Sequence, residues 1–148
     1  MRRLNSSQKV NSFPIKSVDI YAFIVYNINI ILQKRSGCMT REFVFTKSFL
    51  NCWGAMGLSD DDLKQLENVL LTNPQIGDVI QGTGGARKLR IRLNNCGKSG
   101  GGRVIYLDVF ETEKLYLLFA YPKSIQENLT PEQILSIKKI IEFIKKEK

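Results

Sequence analysis

The sequence predicts an α+β fold: an antiparallel sheet of about four strands, two helices near the N-terminal end of the pattern and one helix closing it. Three observations predict it. Residues 47–71 carry apolar side chains at helical spacing, residues 86–121 divide into three strand-like runs, and residues 130–146 return to a helical stripe. The resulting order, β-α-α-β-β-β-α, keeps helices and strands largely apart along the chain, which suits a sheet with helices packed on one face better than alternating parallel units.

The first strand falls at residues 41–46, where Phe43 and Phe45 alternate with Glu42, Val44 and Thr46. Phe49, Leu50, Trp53 and Met56 then share one helix face, and Gly57 divides this helix from the next. Ser59 reads as an N-cap followed by Asp60, Asp61 and Asp62 in the first turn, where the helix dipole favours negative charge. That explains the three aspartates better than a metal site does. Leu63, Leu66, Val69 and Leu70 continue the apolar face until Pro74 ends the run.

The strand-like runs cover residues 86–93, 102–110 and 115–121, separated by a glycine-rich loop and by the polar turn Glu111-Thr112-Glu113-Lys114, so they predict an antiparallel meander. Thr130-Pro131-Glu132-Gln133 combines a cap residue, a proline at the first helical position and a glutamine three residues after the cap. Ile134, Ile137, Ile140, Ile141 and Ile144 form the buried stripe of that last helix.

Residues 1–38 read differently, as a leader of doubtful significance ahead of a domain at residues 39–148. The apolar run at residues 18–32 is short of the roughly 20 residues a bilayer requires, and Asp19, Asn27 and Asn29 interrupt it. A secretory signal fits poorly because Gln33-Lys34-Arg35 stands where small residues should precede cleavage, and the same residues argue against a lipoprotein reading of Cys38. An upstream in-frame extension and an appended strand of no catalytic importance are the remaining readings.

Charge points to a partner class. The chain carries 22 basic and 14 acidic residues, a formal charge of +8, which favours an acidic partner such as nucleic acid. From Val79 to Leu107 there is no acid at all, while Arg87, Lys88, Arg90, Arg92, Lys98 and Arg103 fall within that stretch. Histidine is absent, which removes the commonest general acid–base and the commonest metal ligand together. Cys38, Cys52 and Cys96 are three, widely spaced and without a Cys-x-x-Cys pair, so they support neither a zinc site nor a disulfide framework and fit a reducing cytoplasm. No cofactor is expected.

In the strand Arg87-Lys88-Leu89-Arg90-Ile91-Arg92-Leu93, a two-residue period puts Lys88, Arg90 and Arg92 on one face and Leu89, Ile91 and Leu93 on the other. A solvated cationic face is one reading. The next strand changes the balance, because a hairpin places Arg103 beside the cluster and Lys98 over its edge. Clustered cations repel one another, and a polyanion accepting several charge-assisted hydrogen bonds is a physical reason to keep them together. The loop Gly97-Lys98-Ser99-Gly100-Gly101-Gly102 lacks Walker spacing and lies between strands, so nucleotide hydrolysis is rejected; its glycines let an RNA backbone come close.

Gly84-Gly85-Ala86-Arg87-Lys88-Leu89-Arg90, then Gly97 to Tyr106, Ala120-Tyr121-Pro122-Lys123 and Glu127-Asn128-Leu129-Thr130-Pro131-Glu132 together resemble the HigB-like branch of the RelE/ParE toxin superfamily of type II toxin–antitoxin systems. The match runs from Met39 to about Lys146, with the motifs in order on the expected elements. The resemblance implies a RelE-like domain and a metal-independent, ribosome-dependent mRNA endoribonuclease that inhibits translation and is silenced by a cognate antitoxin, a helix-turn-helix protein. In such enzymes the 2′-hydroxyl attacks the adjacent phosphate, so one oxygen loses a proton, another gains one and a dianionic phosphorane is stabilised.

By position, Lys88 and Arg90 resemble the paired strand cations, Arg103 the transition-state arginine and Lys123 the basic residue after the last strand, with Arg87, Arg92 and Lys98 as RNA contacts. Where some RelE enzymes carry an arginine after the final strand and a tyrosine near the last helix, this chain has Ser124 and the Thr130-Pro131 cap. The general base is therefore open between Lys98 and Lys88, while Tyr106 and Tyr121 are proton carriers or core residues. Substituting Arg103 with alanine is expected to cost no more than about 1 kcal/mol of stability if the residue lies off the core.

The superfamily also contains ParE-like gyrase inhibitors, so fold alone does not decide activity. A non-catalytic RNA- or ribosome-binding module is a third reading, but residues 87–103 hold no aromatic for base stacking, which favours backbone recognition.

Overall fold

The alternation at residues 41–46 becomes strand β2 (Glu42–Phe45) of a six-stranded sheet. The computed structural model describes the backbone of residues 28–32 and, in full, residues 41–92 and 101–147. The sheet runs β1-β2-β6-β5-β4-β3, with β1 Ile28–Leu32, β3 Asp78–Val79, β4 Arg87–Arg92, β5 Gly101–Val109 and β6 Lys114–Pro122. Helices α1 (Lys47–Ala55), α2 (Asp60–Thr72) and α3 (Pro131–Lys146) complete an α+β fold in the expected order, extended by the short strands β1 and β3.

Two features depart from the expectation. The sheet is mixed, because β2 pairs in parallel with β6, Glu42 opposite Lys114 through Phe45 opposite Leu117. Alternation reports which face a side chain takes and says nothing about strand direction, so the meander was legible and the parallel pair was not.

The second departure is that the helices cover both faces. Phe43, Phe45, Val104, Tyr106, Leu115, Leu117 and Ala120 pack against Phe49 and Trp53 of α1 and Leu66 and Leu70 of α2. Ile105, Leu107, Val109, Phe119 and Tyr121 pack instead against Ile137, Ile140, Ile141 and Ile144 of α3. The cause lies in β5 and β6, whose apolar runs send large side chains to both sides and so require two covers.

A bulge sharpens this division. Ile105 pairs with Phe119 and Tyr106 with Leu117, so Leu118 is an extra residue on β6 and joins Phe119 on the α3 side. Thr46 secures that irregular point: its hydroxyl donates to the Leu118 carbonyl and accepts from the Phe49 amide, capping α1 at the same time.

The helix starts follow the sequence. Ser59 and Asp62 form a capping box on α2, which accounts for the acidic run, and hydrogen bonds from Ser59 hold the Asp62 carboxyl below its ordinary pKa. Thr130 and Gln133 form the equivalent box on α3, with Pro131 at its first position. Gly57, at φ 72°, turns the chain between α1 and α2 in a region that favours glycine.

Among the described residues, the Arg41–Asp108 pair and the Tyr106 hydroxyl are buried polar arrangements that brace the sheet. Arg41 Nε lies 3.2 Å from Asp108 Oδ1, both nearly inaccessible, off hydrogen-bond alignment but in charge contact. The Arg41 guanidinium also sits 5.4 Å from the centroid of the Phe110 ring. Tyr106 donates its hydroxyl to the Pro74 carbonyl and accepts from the Gly77 amide, both at 2.9 Å, fastening the segment after α2 beneath the sheet. Among the described residues, no helix is long and apolar enough to cross a membrane.

Candidate nucleic-acid interface

The site begins with strand β4. Its register sets Lys88 opposite Ile105, Arg90 opposite Arg103 and Arg92 opposite Gly101. Residues directly opposite share a face, and Ile105 belongs to the α3 core, so Lys88, Arg90, Arg92 and Arg103 all lie on the α3 side of the sheet. Leu89 and Ile91 take the other side against the α1–α2 core, the division that the alternation predicted.

Arg103 is the inner member of this group. It occupies the interior strand β5 and is only 4% exposed, with Nη1 donating to the Gly102 carbonyl at 3.2 Å. Arg90 beside it is exposed. Two arginines directly opposite on one face repel, so the pair calls for a counter-charge.

The segment between β6 and α3 supplies one. Glu127 places Oε1 3.5 Å from Arg103 Nη2 and Oε2 3.9 Å from Lys123 Nζ, so a single carboxylate spans both cations. Its neighbour Asn128 accepts from Lys88 Nζ at 3.4 Å. Gln126 anchors the segment through two bonds with Gln133 on α3, at 2.8 and 3.1 Å. The Lys123 amide donates to the Gly101 carbonyl at 2.8 Å, which holds Lys123 at the end of β5. Lys88, Arg103 and Lys123 thus converge on residues 127–128, with Arg90 alongside.

Beneath them lies Tyr121, paired with Arg103 across the β5–β6 ladder and only 2% exposed. Among the described residues its hydroxyl has no hydrogen-bond partner. Burial pushes its pKa up to about 12; the nearby Arg103 charge pulls it down and Glu127 adds to the rise, so at neutral pH the phenol is a donor and carries no charge.

Not every predicted contact joins the group. Arg87 faces the α1–α2 side, where Nη1 donates to the Gly77 carbonyl at 2.8 Å and the Gln75 carbonyl at 3.2 Å, bracing the chain after α2. Arg92 shares the face of Arg90 at the far end of β4 and is exposed. Lys98 lies outside the described residues. Arg103 is buried, so the premise that it lies off the core is corrected. Tyr106 is a core residue with both hydroxyl bonds internal, which leaves Tyr121 as the tyrosine at the cluster.

Sequence reasoning passed over Glu127 and Asn128 as site residues. The available signal was Glu127 four residues after Lys123, an acid placed just beyond the basic strands.

Chemically, the arrangement offers one buried guanidinium and two ammonium groups around residues 127–128, with the exposed Arg90 opposite Arg103 in the ladder, a set suited to phosphate oxygens.

No protein-family model matches the chain. Among solved structures, it is similar to the E. coli toxin RelE, determined as a mutant in the free state, at 19% identity and a TM-score of 0.42 over 57% of this chain and 85% of that one.

Proposed function

We propose that this chain is the toxin of a toxin–antitoxin pair, acting in the cytoplasm as a ribosome-dependent mRNA endoribonuclease, with residues 39–148 as the toxin domain and residues 1–38 as a dispensable leader. The observation that carries the proposal is the convergence of Lys88, Arg90, Arg103 and Lys123 on one side of the sheet, at the positions that resemble the catalytic cations of RelE/HigB-type toxins.

In this reading Arg103, held rigid by burial, faces the scissile phosphate and stabilises the charge that grows on its oxygens as the 2′-hydroxyl attacks. Lys88 and Arg90 hold the phosphate from the neighbouring strand, and Lys123 approaches from the end of β6. Lys88 and Lys98 are the two candidates for the base. Arg92 and Lys98 follow the RNA backbone, whereas Arg87 is assigned a bracing role. The ribosome supplies the substrate's path and part of the sequence choice. The antitoxin, a helix-turn-helix protein, silences the enzyme.

Primer extension on mRNA in translating extracts tests the reading. The unmutated chain should cut within ribosome-engaged mRNA, and Arg103→Ala should lose cleavage by on the order of 100- to 1000-fold. Arg103→Lys should recover little, because lysine keeps the charge but loses the two-pronged geometry. Undiminished cleavage by a folded Arg103→Ala protein removes Arg103 from the mechanism. RNA or ribosome binding without cleavage favours the binding module, and inhibition of DNA supercoiling without mRNA cleavage favours the gyrase inhibitor.

A further inference from the structure

Glu127 occupies the place an anion would take. Its carboxylate lies within 3.5 Å of the Arg103 guanidinium and 3.9 Å of the Lys123 ammonium, yet its side chain is 56% exposed while that of Arg103 is 5% exposed. The partners are therefore unequal. Arg103 is held by the sheet around it, and Glu127 can leave by rotating its own side chain into water. An ion pair this open is weak, so little opposes that departure.

Tyr121 provides an independent sign that the site is incomplete with the carboxylate in it. A buried phenol without an acceptor is uncommon in folded proteins, because the desolvation of its hydroxyl goes uncompensated. Tyr121 is the direct cross-strand partner of Arg103 and lies under the influence of both Arg103 and Glu127, yet its hydroxyl donates to neither Glu127 oxygen. A carboxylate has two oxygens, and here both face cations. A phosphate or phosphodiester presents further oxygens in a tetrahedral array, one of which can accept from Tyr121.

We infer that Glu127 is a built-in surrogate for the substrate phosphate, an internal competitor that keeps the site closed, and that a bound phosphodiester displaces it and gains the Tyr121 hydroxyl as an additional donor. The inference rests on the phosphate-binding reading of the cluster and adds its regulation and a positioning residue. Asn128 accepts from Lys88 on the same segment, so outward movement of residues 127–128 would release Lys88 together with Arg103 and Lys123. The Gln126–Gln133 bonds would hold the base of the segment on α3 while its tip moves.

Binding without turnover tests this. The ligand is a fluorescein-labelled 2′-O-methyl RNA oligonucleotide, which lacks the attacking hydroxyl, and affinity for the free full-length chain is read by anisotropy, with inorganic sulfate as competitor. If Glu127 closes the site about nine-tenths of the time, Glu127→Gln should tighten binding about tenfold, the reciprocal of the open fraction. Sulfate should compete correspondingly better against that variant. Tyr121→Phe should weaken binding severalfold and, combined with Glu127→Gln, should remove much of the gain. Circular dichroism melts of each variant exclude unfolding as the cause of a loss.

Unchanged or weaker binding by Glu127→Gln overturns the competitor role, and unchanged binding by Tyr121→Phe in the Glu127→Gln background overturns the added donor. The two readings separate cleanly. Tighter binding by Glu127→Gln from a chain that cuts no mRNA leaves the surrogate standing and the nuclease assignment fallen. Ribosome-dependent cleavage with no change on Glu127→Gln gives the reverse.

Discussion

Breaking the Arg41–Asp108 pair should be among the most damaging single changes away from the site. The two charges meet at 3.2 Å with side-chain exposures of 2% and 8%. At an effective dielectric near 20, their attraction at that separation is about 5 kcal/mol. Withdrawing each ion from water costs several kcal/mol, so the intact pair contributes little net stability. Asp108→Ala removes the attraction and leaves the Arg41 charge buried, with the Phe110 ring at 5.4 Å as its remaining partner among the described residues. The expected loss is about 3–5 kcal/mol. Arg41→Met with Asp108→Leu removes both charges and should lie within about 1–2 kcal/mol of the parent protein. Urea denaturation of the parent, Arg41→Met, Asp108→Leu and the double variant gives the coupling in a double-mutant cycle, with Asp108→Ala measured beside them. A loss below about 1 kcal/mol for Asp108→Ala, or a double variant as unstable as the single, would refute the reasoning that the unpaired charge sets the cost.

Glu67 is buried on α2 and burial raises its pKa, so its protonated form is favoured in the fold. The stability associated with that proton is present below the ordinary carboxyl pKa and is lost as pH rises through the folded value; Glu67→Gln should therefore raise Tm at pH 7 by an amount that vanishes near pH 4. Tyr106→Phe should cost about 1–3 kcal/mol by chemical denaturation, because the Gly77 amide and the Pro74 carbonyl lose their shared partner. Arg103→Ala should destabilise by more than 1 kcal/mol, since truncation empties a buried position, and thermal melts would show this separately from any loss of cleavage. A chain of residues 39–148 should keep its near-ultraviolet circular dichroism and, if the proposed function holds, the mRNA cleavage of the full chain, because the apolar side chains of β2 pack on β6 and α1; recovery only as aggregate would make β1 essential.

The legible parts of this protein were those written in local chemistry. Ser59 with three following aspartates, Thr130-Pro131 with Gln133, and the alternation through Lys88, Arg90 and Arg92 each depend on spacings of a few residues, and the structure places them accordingly. The parts that escaped involve direction and depth. The parallel β2–β6 pair needed knowledge of which way two distant strands run. The two-sided core was hinted at by the apolar runs in β5 and β6, yet a short apolar run does not say which cover each side receives. Arg103 lies in an interior strand, and burial of a charged residue depends on neighbours that the local pattern does not name. Glu127 and Asn128 were visible in the sequence, but their reach to Arg103 and Lys88 depends on how the segment folds back from β6.

The parallel pairing of β2 with β6 also governs when the protein can form. Thr46 and Leu118, which a side-chain hydrogen bond joins just beyond the paired residues, stand 72 residues apart, and Phe43 and Phe45 gain their β6 neighbours only after the greater part of the chain has been synthesised. Closing so long a loop costs entropy before any contact rewards it, so the sheet has high contact order and should assemble slowly. While the ribosome is still making it, the domain has no finished sheet, and its basic face cannot mature before β6 leaves the exit tunnel. Folding would thus delay the basic face past the chain's own synthesis, leaving an interval in which a partner already present could meet the chain before that face is complete.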